Sequence, residues 1–333
     1  MTQIVLIGAG KLGSRHLQAL SKLKTIDTKL HVVDKSKESL LIAKKRLAEV
    51  KGSKLTHNAN FYRDINDLNL KEINLLILAT TAENRLNILN QLVKKTKIRN
   101  LILEKFLFQK EKDFYKANEV LKKNKIKTWV NCPRRQWDFY KTLKKNLQKE
   151  KIIEVKVDGA MWSMATSAIH FIDLISFLID EKSYEVSKTN FGKSFVPSYS
   201  IITGPRQSTF IEFFGRIKGK FKNATSFSFF CTKKNRPFLI TIQTASKRIE
   251  IYEELGRCVF FDLKKLNKIK EVFFTMPYQS EITNLIAEDI ISRNDCSLTA
   301  YEESMGLHLP LLKSYLKYLS KISSKNTTKC PIT

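Results

Sequence analysis

Cysteine is scarce: five residues in a chain of 333. They stand far apart, at Cys132, Cys231, Cys258, Cys296 and Cys330, with no CxxC pair. An odd, dispersed set excludes a disulfide framework and a zinc knuckle, and fits reduced thiols in the cytoplasm. The five histidines show no HxxxH or HExxH spacing, so no metal site is expected. Long hydrophobic runs are missing too. Spanning a bilayer takes roughly 20 apolar residues, and the longest candidate here, Ala168 to Ile179, contains His170 and Asp173. The apolar run at the amino terminus is too short for a signal peptide and lacks a basic flank. No membrane association is therefore expected. Acidic residues are in deficit, 32 against 59 lysines and arginines, for a net charge of +27. The lysines are scattered over polar helix faces (Lys35, Lys37, Lys44, Lys45; Lys110, Lys112, Lys116, Lys122, Lys123), without a helix-turn-helix, RNP or zinc-finger pattern. Specific nucleic-acid binding is not expected, whereas salt-sensitive adhesion to polyanions is.

What is present is a globular composition, 43% hydrophobic, in a chain long enough for two domains. Up to residue 130 short apolar runs alternate with helical patterns, as a parallel sheet with crossover helices requires. Strands are predicted at Ile4–Ile7, Leu30–Asp34, Leu75–Ala79, Leu101–Leu103 and Thr128–Asn131. Helices are predicted at Leu12–Lys22, Lys37–Glu49, Glu83–Lys95 and Glu111–Lys123. Residues 131–333 read differently. An alternating strand at Ile152–Val157 precedes a strongly apolar helix from about Ala168 to Ile179. Alternating stretches follow at Ser208–Phe214, Thr225–Phe230, Phe238–Gln243, Arg248–Tyr252 and Val272–Thr275. Helices near Glu281–Ile291 and Glu302–Lys321 close the chain, and the polar tail from Ser323 is expected to be loose. The fold class expected is α/β: an amino-terminal doubly wound, Rossmann-type parallel sheet (1–130) and a carboxy-terminal α+β domain with a large, mostly antiparallel sheet (131–333).

The most informative segment is the first. The run Ile4-Val5-Leu6-Ile7 leads directly into Gly8-Ala9-Gly10-Lys11-Leu12-Gly13 and a helical pattern, and a second apolar stretch ends at Asp34. Strand, GxGxxG, helix and an acid about 20 residues on form the dinucleotide-binding fingerprint. Gly8 permits the turn, Gly10 lets backbone approach a pyrophosphate, and Gly13 lets the helix pack on the strand. The helix start at Lys11 and Leu12 presents N–H groups to phosphate. Asp34 can accept from ribose hydroxyls and favours NAD over NADP, while Lys35 and Lys37 leave NADP open.

The order of further segments resembles the Gfo/Idh/MocA family of sugar and polyol oxidoreductases over nearly the whole chain. Gly8 to His16 is similar to that family's opening. Ala79-Thr80-Thr81-Ala82-Glu83-Asn84-Arg85 resembles its alanine-threonine loop, with Arg85 for the usual histidine. Glu104-Lys105-Phe106 resembles its Glu-Lys-Pro motif, and Asn131-Cys132-Pro133-Arg134-Arg135 followed by Tyr140 its asparagine-arginine segment. Ala168-Ile169-His170-Phe171-Ile172-Asp173 resembles its HxxD helix. The Asn-Cys-Pro-Arg-Arg wording is most like members linked to bacterial surface-polysaccharide sugars.

The resemblance implies an NAD(P)-dependent dehydrogenase or reductase acting on a CH–OH group of a sugar, as a homodimer or homotetramer. It implies Thr80 and Glu104 on the nicotinamide side, and Lys105 and His170 as the catalytic pair. Lys105, after a buried strand, can exchange a proton with the reacting hydroxyl. Asp173, one turn beyond His170, either orients it or is structural. Arg134 or Arg135 could clamp a carboxylate or phosphate of an acidic or nucleotide-activated sugar; a salt bridge to a neighbouring helix is the alternative for each. Two departures stand out. Thr166 occupies the position four before the histidine, where many members carry aspartate. Phe106 replaces proline, which removes the inexpensive cis isomer and puts an aromatic near the site. The rival readings are a cofactor-binding protein without catalysis and a same-fold reductase of a non-sugar substrate.

Overall fold

The structure, a computed structural model, describes residues 1–24, 27–53, 55, 58–192, 196–197, 210–265 and 267–333. It divides into two compact units. The first comprises Met1–Phe108, Lys112–Pro133 and Pro277–Glu302; the second comprises Gln109–Glu111, Arg134–Met276 and Glu303–Thr333.

Six parallel strands build the sheet of the first unit: β1 (Thr2–Ile7), β2 (Thr28–Val33), β3 (Ala59–Tyr62), β4 (Glu72–Leu78), β5 (Lys97–Glu104) and β6 (Lys127–Asn131). Their spatial order is β6-β5-β4-β1-β2-β3, the doubly wound arrangement whose strand order reverses between β1 and β4. The strands read as apolar runs because both faces are covered; Ile4, Val5, Leu75, Leu76, Ile77 and Leu101 are fully buried. Helices α1 (Gly13–Leu20), α2 (Lys37–Ala48), α3 (Arg85–Leu92) and α4 (Glu111–Lys123) connect them. The short, half-buried edge strand β3 has no apolar run to announce it, and the sequence reading did not find it.

The expected division at residue 130 needs one correction. Helix α7 (Gln279–Arg293) packs on α1 in the first unit, burying Ile282, Ile286, Ala287 and Ile290. The strand that follows, β17 (Thr299–Ala300), pairs antiparallel with β6. The chain thus returns to the first unit late, through contacts of long sequence separation that local periodicity does not reveal.

The second unit holds an eight-stranded sheet formed by β7 (Ile152–Ala160), β8 (Tyr184–Phe191), β11 (Gly215–Phe221), β12 (Ser226–Thr232), β13 (Leu239–Thr244), β14 (Lys247–Tyr252), β15 (Arg257–Asp262) and β16 (Asn267–Phe273). Its order is β16-β15-β14-β13-β7-β12-β11-β8, antiparallel except where β12 runs alongside β7. Strands β8, β11 and β15 were not foreseen. The predicted stretch Ser208–Phe214 begins outside the described residues; its described part holds β10 (Ile211–Glu212), which pairs with β9 (Val196–Pro197). Helix α5 (Asp138–Leu147) packs against α6 (Met164–Ile179), and α6 lies on β7, β10 and β12. The last helix, α8 (Tyr301–Ser323), starts at the boundary of the units.

The tail is not loose. Cys330 and Ile332 are fully buried. Gln109 accepts at its carbonyl from Cys330 N–H and donates from Nε2 to the Ile332 carbonyl, both at 2.9 Å. The Pro331 carbonyl accepts from Ile211 N–H at 2.9 Å. The polar residues before Lys329 hid two apolar anchors at the very end. Among the described residues, no helix is long and apolar enough to cross a membrane.

Candidate functional site

The glycine turn sits at the carboxyl end of β1, where the strand order reverses. Gly8 has φ of +95°, and a Cβ there would lie 2.7 Å from the Ala79 carbonyl oxygen. A Cβ on Gly13 would lie 1.7 Å from the Gly8 carbonyl oxygen. Both positions are closed to any other residue by neighbouring backbone. Gly10 differs: among the described residues nothing stands within 4 Å of the place its Cβ would take. The fold does not need glycine at that point, so the open flank is room for something else. Arg46 on α2 braces the turn, donating to the Lys11 carbonyl at 2.8 Å and to Ser14 Oγ at 2.5 Å.

Asp34 lies at the end of β2, as expected. Its carboxylate accepts from Ala9 N–H at 2.6 Å and from Ser36 N–H at 2.8 Å. The acid therefore also ties the glycine turn to the start of α2. An ionised carboxylate has about four acceptor positions, so these two bonds leave capacity for ribose hydroxyls.

Thr80 follows β4 and Lys105 follows β5, so both stand at the same carboxyl edge. Thr80 Oγ1 is buried and makes no hydrogen bond among the described residues. Between the two loops lies Arg85, which replaces the histidine of the resemblance and is 1% exposed. Its Nη1 donates to the carbonyls of Glu104 (2.5 Å), Phe106 (2.8 Å) and Leu107 (2.8 Å), and its Nη2 to that of Thr80 (2.6 Å). Burial pulls the guanidinium down to about 10, with the charge of Glu104 opposing. The arginine fixes the backbone on both sides of half-buried Lys105.

Glu104 faces inward rather than toward open space. Its Oε1 meets His16 Nε2 at 2.8 Å and accepts from Asn131 Nδ2 at 2.5 Å. Burial pushes this carboxyl upward, but the hydrogen bonds from His16 and Asn131, and the charges of His16 and Lys105, outweigh it and hold it below its ordinary value. The other His16 nitrogen reaches Thr283 Oγ1 on α7 at 2.8 Å. His16 and Asn131 lie in segments that carry the resemblance, but neither was given a role from sequence. The signal was a polar residue on the buried side of α1, one turn past Gly13.

Two expectations about Phe106 are corrected. The Lys105–Phe106 peptide is cis although no proline is present. Phe106 does not line a site: it is fully buried and meets Phe114 edge-on at 6.5 Å.

In the second unit, His170 is half-buried on α6. Asp173 turns to Arg135, whose Nε and Nη2 donate to its two oxygens at 2.9 Å each. Arg134 forks onto Glu253, Nε to Oε1 at 2.8 Å and Nη2 to Oε2 at 2.6 Å, and its guanidinium lies 4.4 Å from the Phe171 ring centre. Tyr140 donates to the same Glu253 at 2.5 Å. Burial first, then the charge of Glu253, pushes its phenol well above 10, so it stays a donor. Both arginines thus spend their bidentate edges on carboxylates of their own unit, and neither presents the clamp for an acidic substrate that sequence allowed. Thr166 is buried and donates to Glu212 Oε1 at 2.8 Å.

No family model matches the chain. No curated protein matches it. Solved structures do. A Gfo/Idh/MocA family oxidoreductase from Vibrio cholerae is similar with a TM-score of 0.68 at 10% identity, over 98% of this chain and 100% of that one. A UDP-N-acetylglucosamine 3-dehydrogenase from Acidithiobacillus ferrooxidans gives 0.68 at 10% identity, over 94% and 96%. A super-repressor mutant of Gal80p from Saccharomyces cerevisiae gives 0.68 at 12% identity, over 98% and 97%. At such identities the likeness shows the fold: this chain has the architecture of the Gfo/Idh/MocA-type oxidoreductases.

Proposed function

We propose that the chain is an NAD(P)-dependent oxidoreductase of the Gfo/Idh/MocA type, moving a hydride to or from a hydroxyl or carbonyl carbon of a sugar or sugar derivative. The observation that carries the reading is Gly10. It is a glycine the fold does not require, placed between two that it does, at the point of a doubly wound sheet where ligands bind. Buried Thr80 Oγ1 at the same edge has hydrogen-bonding capacity to offer. The solved structures of the same architecture include one in complex with NAD+ and L-tartaric acid, which supports the cofactor assignment.

When bound, the nicotinamide would supply the hydride chemistry; the protein's task is placement and proton handling. Gly8, Gly10 and Gly13, with the N–H groups at Lys11 and Leu12, would hold the pyrophosphate. Asp34 would accept from the adenosine ribose; its charge favours NAD, and Lys35 or Lys37 could receive the 2′-phosphate of NADP. Lys105, its backbone held by Arg85, would take or return the hydroxyl proton. His170 is assigned the second proton-handling role, with Asp173 and Arg135 bracing the next turn of α6. Because both arginines of the Asn-Cys-Pro-Arg-Arg segment are internally paired, a neutral hydroxylated substrate fits better than an acidic one. The open face of the large sheet would carry self-association as a dimer or tetramer.

The second reading is a cofactor-binding protein without turnover. Thr166 favours it, because a threonine hydroxyl is no general base at neutral pH, and so does the likeness to a repressor. A panel of sugars and nucleotide-sugars with NAD+ and NADP+ separates the two. Turnover lost in Lys105→Ala, with cofactor affinity kept, supports the enzyme; cofactor binding with no turnover on any substrate supports the regulator.

A further inference from the structure

Asn131 ends β6, level with Glu104 at the end of the neighbouring strand β5. Its side chain is 2% exposed. Charge fixes the direction of its amide. Nδ2 donates to Glu104 Oε1 at 2.5 Å and to Gln279 Oε1 at 2.9 Å. Turned the other way, the amide would set its oxygen against a carboxylate oxygen. Both N–H groups are therefore spent, and Oδ1 faces away from Glu104. Among the described residues no donor meets that oxygen, although it is buried. Gln279 is held in turn, donating from Nε2 to Thr283 Oγ1 at 2.8 Å. His16 joins Thr283 to Glu104, so His16, Glu104, Asn131, Gln279 and Thr283 form a closed ring. The ring keeps the oxygen where it is.

A buried acceptor without a donor is uncommon and needs a reason. Its place gives one, because ligands of a doubly wound sheet bind outside the carboxyl ends of the strands. Nor is it alone there. Thr80 Oγ1, just past β4, is buried and unbonded too. Two such atoms thus flank the end of β5, from which Lys105 follows. The glycine turn after β1 marks the pyrophosphate position, and Asp34 on β2 marks the adenosine side. Strands β4, β5 and β6 lie in that order on the opposite side of β1, which leaves their ends to the nicotinamide half. An amide oxygen only accepts, so its ligand must donate. The donors of that half are the ribose hydroxyls and the carboxamide N–H groups. The carboxamide is the group farthest from the pyrophosphate, and β6 is the strand farthest from the turn, about 14 Å at about 4.8 Å per strand. We infer that Asn131 Oδ1 accepts from the nicotinamide carboxamide and so orients the ring at the end of β5. The inference rests on the reading of the chain as a dinucleotide-binding protein.

The test is binding rather than turnover. The whole chain is titrated by calorimetry with NAD+ and with its acetylpyridine analogue, in which a methyl group replaces the carboxamide nitrogen and its two hydrogens. The native chain is expected to favour NAD+ about tenfold, because the analogue leaves a buried acceptor unpaired. In Asn131→Ala the preference is expected to fall to about twofold or less. Equal binding of the two ligands by the native chain overturns the inference, and so does an undiminished preference in the folded variant. Should Asn131→Ala not fold, Asn131→Ser carries the same measurement, since its short hydroxyl can donate to Glu104 but extends no oxygen beyond it. Binding of neither ligand by the native chain overturns the dinucleotide reading as a whole. Binding of both without discrimination overturns the role of Asn131 alone.

Discussion

His16 Nε2 and Glu104 Oε1 meet at 2.8 Å across 88 residues of sequence, with both side chains almost fully buried. The pair joins the helix after the glycine turn to the strand end that carries Lys105. Removing one partner of a buried pair typically costs about 3–5 kcal/mol, and Glu104→Ala is expected to fall in that range by urea unfolding. The native carboxyl titrates below its ordinary 4.5. Its contribution is therefore complete above that value and is lost as pH falls through the lower native one. Glu104→Gln should lose stability at neutral pH and flatten the acid limb; an unaltered acid limb contradicts the account.

Arg85 is the keystone of the two loops flanking Lys105. Arg85→Ala strips a donor from four carbonyls and should cost at least about 3 kcal/mol. Arg85→Lys keeps the charge but not the planar fork, and should recover only part of that loss. Equal stability of the lysine variant and the native chain would show that charge alone matters there.

His31, on β2, contacts Gln3 Oε1 at 2.8 Å and Tyr62 Oη at 3.1 Å. Burial first, then the charge of Lys29, lowers its pKa from 6.5 to about 4. A base whose native pKa is depressed binds its proton more readily when unfolded. Stability from this site is thus complete above 6.5 and declines as pH falls toward 4. His31→Gln should unfold less steeply across that interval, measured by thermal melts at successive pH values.

The last five residues are structural. Deleting 329–333 exposes or removes Cys330 and Ile332 and frees Gln109. A loss of about 2–4 kcal/mol is expected from the buried apolar surface and the backbone bonds. A truncated chain of native stability would contradict the docking of this segment.

Much of the architecture was legible because its signals are local. Apolar runs gave β1, β2, β4, β5 and β6, and the glycine spacing gave the turn and the place of Asp34. Edge strand β3 was missed because it is short and only half-buried, and β8 because polar and charged residues interrupt its alternation. Distant partners were beyond local reading altogether. Nothing near Thr166 announces Glu212, and nothing near Arg134 announces Glu253. The late return of α7 and β17 to the first unit is the same kind of relation. Asp173 and Arg135 show the converse: their chemistry was legible, but only the fold reveals that they satisfy each other.

The central claim is that the glycine turn holds a dinucleotide, and paired glycine variants test it most directly. Gly10→Ala meets open space and should fold as the native chain does, whereas Gly13→Ala drives a Cβ into the Gly8 carbonyl and should fold poorly. Native protein, Gly10→Ala and Gly10→Glu are titrated with NADH and NADPH at moderate salt, following nicotinamide fluorescence. The account predicts saturable binding by the native chain, with NADH preferred, weakened in Gly10→Ala and abolished in Gly10→Glu while the fold persists. Absence of binding by either cofactor, or equal binding by folded Gly10→Glu, would contradict it.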